Sequence, residues 1–246
     1  MPEHYLTFLN YSSDIVRWSS APELPGALEL ADELGRRGIL CSIGHSDITY
    51  QQVVPAFERG YTHVTHLYSG CSLLRRINAF RYMGVVDSVF AIDNMTAEII
   101  ADGRHLPPEL LKLILKLKAW DKISLITDSM RCAGMPEGTL HYTGTKENGM
   151  QVLIEDGVAK LPDRSAFAGS IATADRLVRN MRDLAGIPLL DAVRMITYNP
   201  ACVMRIQNRK GVLAPGKDAD ICIFDEGVNI KAVFMGGEIT VDTLNG

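Results

Sequence analysis

Ser42-Ile43-Gly44-His45-Ser46-Asp47 is the stretch on which the reading of this chain turns. The apolar run Gly38-Ile39-Leu40-Cys41 leads into it and a Ser/Asp pair leads out, as when a buried strand hands over to a helix. His45 then stands at the carboxyl end of a strand. One βα period later, His63-Val64-Thr65-His66-Leu67-Tyr68 repeats the pattern, with His66 at the end. Side chains at the carboxyl ends of successive parallel strands point into one space, and imidazole is the commonest metal ligand, so the pair predicts a metal site. Either histidine alone reads as a turn or core residue; the pairing favours a site. His63 opens its strand and serves as the control, expected at the opposite end of the sheet. His4 and His141 read as surface residues.

Outward from this centre the same alternation continues. Residues 15–18 form a short strand that ends in the turn Ser19-Ser20-Ala21-Pro22-Glu23, and residues 26–37 carry Leu28, Ala31 and Leu34 on one helical face before Gly38 closes the helix. Residues 39–44 are a strand, 48–59 a helix and 63–67 a strand, trailed by the irregular Ser69-Gly70-Cys71-Ser72 loop and the Arg75-Arg76 pair. A fourth strand, 97–100, passes through Ala101-Asp102-Gly103-Arg104-His105 into a helix over 107–120, and a fifth, 123–126, ends on Thr127-Asp128. Five strand-then-helix units predict a parallel sheet or a (β/α) barrel, and a barrel has eight strands.

Beyond Asp128 the texture changes to hairpins over 139–160, turning tightly at Asp156-Gly157. Helical periodicity returns over 171–185 and 189–198, Asn199-Pro200 opens a further helix, and strands follow at 219–224, 230–235 and 238–240. The fold class is therefore α/β. Residues 1–200 are expected to form a partial TIM-like (β/α) barrel with a hairpin insertion near 139–160, and residues 201–246 a helix and strands of a small β-layer. The first dozen residues read as a lead-in.

Composition narrows the partners. A chain of 246 residues with formal net charge -4 and no basic cluster has no electrostatic footprint for nucleic acid. The five cysteines, Cys41, Cys71, Cys132, Cys202 and Cys222, form no CxxC pair, and Cys41 and Cys222 fall in strand-like runs where a thiol behaves as a small hydrophobe. A reduced, cytoplasmic setting fits. No window approaches the ~20 apolar residues of a membrane span, and Met1-Pro2-Glu3-His4 does not open a signal peptide.

Taken in order, Gly44-His45-Ser46-Asp47, Thr65-His66-Leu67-Tyr68, Ala101-Asp102-Gly103-Arg104-His105, Ile126-Thr127-Asp128 and Ala168-Gly169-Ser170 resemble the N-acetylglucosamine-6-phosphate deacetylases of the amidohydrolase superfamily. Asn199-Pro200-Ala201, Lys210-Gly211 and Gly216-Lys217-Asp218-Ala219-Asp220 resemble that superfamily's return from barrel to β-sandwich. The resemblance implies that the chain supplies barrel strands four to eight and part of the sandwich. It matches His45 and His66 to the metal-binding histidines, Asp128 to the catalytic carboxylate and His105 to a histidine that contacts substrate. Arg76 lies nearest the arginine that binds the sugar phosphate, with Arg75 as its alternative. Ser69 and Gly70 stand where the family often reads Asn-Ala, and Phe167, Ala168 and Gly169 where it often reads Leu-Ala-Gly, so the resemblance assigns them to substrate contacts.

Hydrolysing an acetamide at neutral pH takes a stronger nucleophile than water and a proton for the leaving amine. A divalent metal supplies the first, and one carboxylate, here Asp128, carries the proton from water to nitrogen. A strand-end aspartate alone reads equally as a helix cap. The resemblance thus implies a divalent cation, zinc first, with iron, cobalt and manganese as the other candidates. It also implies a phosphorylated amino sugar as small-molecule partner, no nucleic acid, no membrane and a homodimer. The family's glutamate ligand belongs to an earlier His-x-Glu-Gly-Pro-like segment, which nothing in this sequence resembles; Glu3 and Glu23 are the nearest early acids. Weak metal binding and poor turnover by the chain alone are therefore expected. The competing readings are a catalytically silent phosphosugar-binding module and another amidase of the superfamily.

Overall fold

Cys41 and Ile43 in one segment, and Ala97 and Ile99 in another, set apolar side chains on one face while Ser42, Thr96 and Glu98 set polar ones on the other, and both segments become buried strands. In chain order the computed structural model, which describes residues 2–145 and 147–244, places α1 (Pro2–Leu9), β1 (Arg17–Ser20), α2 (Ala27–Arg37), β2 (Leu40–Ile43), α3 (Tyr50–Glu58) and β3 (Tyr61–Val64). Next come β4 (Arg75–Ile77), β5 (Phe80–Tyr82), α4 (Val85–Ala91), β6 (Thr96–Ile99), α5 (Pro108–Leu117) and β7 (Ile123–Leu125). The remainder is β8 (Leu140–Thr143), β9 (Met150–Glu155), β10 (Val158–Lys160), β11 (Phe167–Gly169), α6 (Ala174–Asn180), α7 (Leu189–Ile196), α8 (Tyr198–Val203), β12 (Ile221–Phe224), β13 (Ile230–Met235) and β14 (Glu238–Asp242).

The chain divides into two compact units: Met1–Ile99 with Leu115–Ser124 and Asn199–Gln207, and Ile100–Ile114 with Leu125–Tyr198 and Asn208–Gly246. The sheet ordered β1-β2-β3-β6-β7 is made of the five strands that hydrophobic patterning picks out, and β1, β2, β3 and β6 run parallel. With helices between the strands, this is the α/β organisation of a partial (β/α) barrel. The second unit carries two antiparallel sheets, β11-β10-β9-β8 and β12-β13-β14. Cys132, Val152 and Ile154 form a core cluster within it.

Strands β2 and β3 stop earlier than expected because the backbone leaves the extended region at His45 (φ 49°) and His66 (φ 32°). The presumed lead-in is a helix, α1, fastened by Arg37, which donates to Leu9 O at 2.9 Å and to Asn10 Oδ1 at 2.8 Å. The hairpin β4–β5 was not expected; it turns at Asn78 and Ala79, both with positive φ (47° and 72°), as a two-residue hairpin of the favoured twist demands. Its base is tight. Ser72 Oγ donates to Ile48 O at 2.6 Å and accepts from Val85 N at 2.9 Å, and a Cβ on Gly84 would fall 2.3 Å from Ser72 O. Lys118, 6% exposed, donates to the carbonyls of Val89 (2.9 Å), Ile92 (2.7 Å) and Asp93 (3.0 Å), which satisfies acceptors left over at the end of α4.

One face of the parallel sheet is apolar, with Ile43, Val64, Ala97 and Ile99 fully buried. The other is polar and largely paired within itself, though the buried Nε2 of His63 makes no hydrogen bond. Arg17 donates to Ser42 Oγ (3.2 Å), Thr65 Oγ1 (2.8 Å) and both carboxylate oxygens of Glu98, while Ser19 and Thr65 hydroxyls meet at 2.7 Å. His63 Nδ1 lies 2.6 Å from Thr96 Oγ1 and Nε2 lies 3.5 Å from Glu98. Burial alone would raise the Glu98 carboxyl, but the nearby His63 ring and the Arg17 guanidinium, bonded to both carboxylate oxygens, outweigh it and hold the group at about 2. Of the two strand-borne thiols, Cys41 is buried and pushed up to about 12 by that burial, whereas Cys222 is exposed. Among the described residues no helix is long and apolar enough to cross a membrane.

Candidate functional site

In the first unit, β2 and β3 end side by side, and the residues just past their ends bring two imidazoles together. His45 and His66 face each other through Nε2 at 3.0 Å, with ring centroids 4.6 Å apart and planes at 84°. A tetrahedral zinc with bonds of about 2.0–2.1 Å separates two nitrogens by roughly 3.3 Å, so the two nitrogens, once the proton they share has left, need move apart only a few tenths of an ångström to share a cation. Both residues, and Tyr68 (φ 78°), sit in the left-handed region that non-glycine residues seldom occupy. His66 is 6% exposed and its Nδ1 is buried with no hydrogen-bond partner. His45 is exposed, and its ring rests over Gly70 (φ 59°), where a Cβ would stand 2.7 Å from Nδ1. Gly70 therefore makes room for the ring, and Ser69 N–H donates to His66 O at 2.9 Å.

A cavity of about 360 Å³ opens here, lined by Glu23, His45, Ser46, Asp47, Gly70, Cys71 and Ser72. Glu23 is tied to the strand-end turn: Oε2 accepts from Ser46 Oγ at 2.7 Å and Oε1 from Asp47 N–H at 2.8 Å. Among the described residues no three or more His, Cys, Asp or Glu are grouped so as to hold a metal together. The donor set thus fits a cation through its two imidazoles, with Glu23 in the same cavity but engaged elsewhere. Arg75 is engaged too, donating to the Asp47 carboxylate and to Asp47 O at 2.6 Å. Arg76 is exposed on the hairpin, in register with Arg81.

The second unit holds the remaining candidates. Asp128 has φ 46° and is exposed; the chain beyond it is fixed by the Ser129–Ser170 bridge and by Met130 N–H donating to Ser170 O at 2.9 Å. Ala168 and Gly169 lie in β11, paired with β10, and Gly169 packs against Met130. Phe167, 46% exposed, sets its ring 5.1 Å from that of His105. His105 in turn is gripped by Asp102, whose Oδ2 lies 2.7 Å from Nδ1 and whose Oδ1 accepts the N–H groups of Arg104 and His105, each at 2.8 Å. Burial would raise the Asp102 carboxyl; the hydrogen bonds from His105 and the Arg104 N–H lower it below the ordinary value. The segment is braced by Asn180, donating to Ala101 O at 2.9 Å, and Arg176, donating to Asp102 O at 2.7 Å. Sequence reasoning passed over Asp102 as a mere neighbour of His105. The three-residue spacing across Gly103 (φ 76°), which lets an Asp side chain cap its own turn, is the signal that carries it.

Comparison with known proteins agrees on one relationship. Residues 16–240 match the amidohydrolase family. The N-acetylglucosamine-6-phosphate deacetylase of Lysinibacillus sphaericus is 37% identical over 227 residues, 92% of this chain and 55% of that protein. The N-acetylgalactosamine-6-phosphate deacetylase of Escherichia coli O157:H7 is 33% identical over 219 residues, 89% of this chain and 55% of that one. The crystal structure of N-acetylglucosamine-6-phosphate deacetylase from Pasteurella multocida matches with a TM-score of 0.86 at 28% identity, covering 98% of this chain and 61% of that chain. The chain spans a little over half the length of the curated relatives it matches.

Proposed function

The chain belongs to the amidohydrolase family, and from that premise we propose that it removes the acetyl group of an N-acetylated amino-sugar phosphate, N-acetylglucosamine 6-phosphate first, giving glucosamine 6-phosphate and acetate. The observation that carries this reading is the convergence of His45 and His66 at 3.0 Å just past the ends of adjacent parallel strands. These two residues would hold a divalent cation, zinc by its affinity for imidazole, which would supply an acidified water and a polarised carbonyl. Asp128, exposed past the end of β7, takes the proton from the attacking water and returns it to the departing nitrogen. His105 and Phe167 contact the sugar, as do the backbone groups of Ser69, Gly70, Ala168 and Gly169. Arg76 anchors the phosphate, because Arg75 is spent on Asp47. We assign the protein to the cytoplasm as a homodimer.

One observation favours a second reading, binding of the phosphosugar without turnover: Glu23, the carboxylate in the His45 cavity, is committed to Ser46 and Asp47. Two imidazoles are one ligand short of the three usual at a catalytic zinc. The test is to titrate the purified chain with zinc and measure metal content together with acetate release from N-acetylglucosamine 6-phosphate and its galactosamine counterpart. Acetate release that tracks bound metal supports the deacetylase. Sugar-phosphate binding without acetate supports the silent module, and neither binding nor release discards both.

A further inference from the structure

Asp102 has no role in the reaction outlined above, yet its side chain is fully buried and accepts three hydrogen bonds. Two of them, from the N–H groups of Arg104 and His105 to Oδ1, build the turn. The third joins Oδ2 to His105 Nδ1 at 2.7 Å. An ionised carboxylate can only accept, so the proton in that bond belongs to Nδ1 and the lone pair of the neutral ring is left on Nε2. We infer that Asp102 is a positioning residue: it fixes His105 in the Nδ1-protonated tautomer, so that Nε2 meets the ligand as a hydrogen-bond acceptor. The ligand class follows from what lies beside the ring. Phe167, 46% exposed and tilted 53° to the imidazole, offers an apolar face next to an acceptor nitrogen. A sugar matches that pairing, its C–H face against the aromatic ring and a hydroxyl donating to Nε2. The sugar assignment rests on the proposed deacetylase reading; the tautomer does not.

The turn and the tautomer separate cleanly by mutation. Asp102→Asn keeps a carbonyl oxygen for the two backbone donors but replaces Oδ2 by an NH₂ group, which makes Nδ1 an acceptor and moves the ring proton to Nε2. Long-range ¹H–¹⁵N correlation of the His105 ring in the full chain, at a pH where the imidazole is neutral, reads this directly. The expected result is a protonated Nδ1 in the wild type and an inverted pattern in D102N, with about tenfold weaker binding of N-acetylglucosamine 6-phosphate by calorimetry. A wild type protonated on Nε2, or a D102N spectrum that keeps the wild-type pattern, overturns the inference. Should D102N misfold, Asp102→Ser retains an oxygen for the turn, and loss of the single tautomer there serves the same purpose. The spectrum needs no turnover, so an inactive chain would count against the deacetylase and not against the role of Asp102.

Discussion

His63 and His66 lie three residues apart in sequence and in opposite circumstances. His63 is within β3 on the polar face of the sheet, fully buried, with Thr96 and Glu98 as neighbours, and burial pushes its ring down toward the neutral form. His66 is past the end of the strand in a strained backbone conformation, one nitrogen aimed at His45 and the other without a partner. Along the strands most polar groups are spent on one another: Arg17 alone serves Ser42, Thr65 and Glu98, and His63 Nε2 is the buried atom left over. Past the strand ends the two imidazoles meet only each other, and His66 Nδ1 has no partner. The same sheet thus separates residues that hold it together from residues available to a ligand, the division expected between the body of a parallel strand and its carboxyl end.

The sharpest way to break that comparison is at the carboxylate end. In zinc-loaded protein that turns substrate over, Asp128→Asn is expected to lower turnover about 10²–10⁴-fold while metal content stays constant, since an amide cannot accept the water's proton. Near-normal turnover would place the proton carrier elsewhere.

A crossed pair of variants addresses the two regions together. Arg17→Met strands a buried Glu98 carboxylate and should cost about 3–5 kcal/mol in urea unfolding, leaving zinc per folded chain unchanged. His66→Ala should do the reverse, abolishing zinc uptake seen by calorimetry at a smaller cost in urea unfolding. If both variants lost metal alike, the division between strand body and strand end would collapse.

Acid titration gives a smaller effect with a definite sign. The Glu98 carboxyl titrates at about 2 in the folded chain against 4.5 for the ordinary group. Its contribution, roughly 3 kcal/mol at most, is complete above pH 4.5 and is lost as the pH falls toward 2. Stability measured across that window should fall in the wild type and stay flatter in Glu98→Gln. The smallest change expected is Gly70→Ala: an alanine at φ 59° costs about 1–2 kcal/mol, and its methyl would push on His45 Nδ1, weakening zinc binding without abolishing it. Unaltered zinc affinity would show that the ring does not depend on that contact.

The five strands of the first sheet were readable because buried strands write themselves as apolar runs bounded by turn residues, and the histidines past the ends of two of them stood out against that background. The hairpin β4–β5 was not readable: Arg75-Arg76-Ile77 and Phe80-Arg81-Tyr82 show no clean alternation, and its turn is Asn-Ala, without the glycine that usually announces such a turn. Helix α4 is seven residues long, too short for a period of 3.6 to declare itself. The polar lining around Arg17 and Glu98 was invisible for a different reason. A charged residue in a strand reads as solvent-facing, and only the distant partner, 81 positions away, makes its burial tolerable. Asp102 was in view as part of a motif, but its partnership with His105 is a matter of side-chain direction that spacing alone does not give.

The excursion between β3 and β6 is clamped at its root, by Ser72 against Gly84 and Val85 on one side and by Lys118 on the carbonyls at and just after the end of α4 on the other. Between those clamps, Leu73, Leu74, Ile77 and Phe80 are exposed and contribute little to the core. A segment held this way can drift in sequence, or be exchanged for a loop of another length, without the strands beneath it having to adjust. Selection can therefore rework whatever the hairpin touches, Arg76 included, as an interchangeable cassette, and transplanting residues 73–83 between relatives offers an engineer the same freedom.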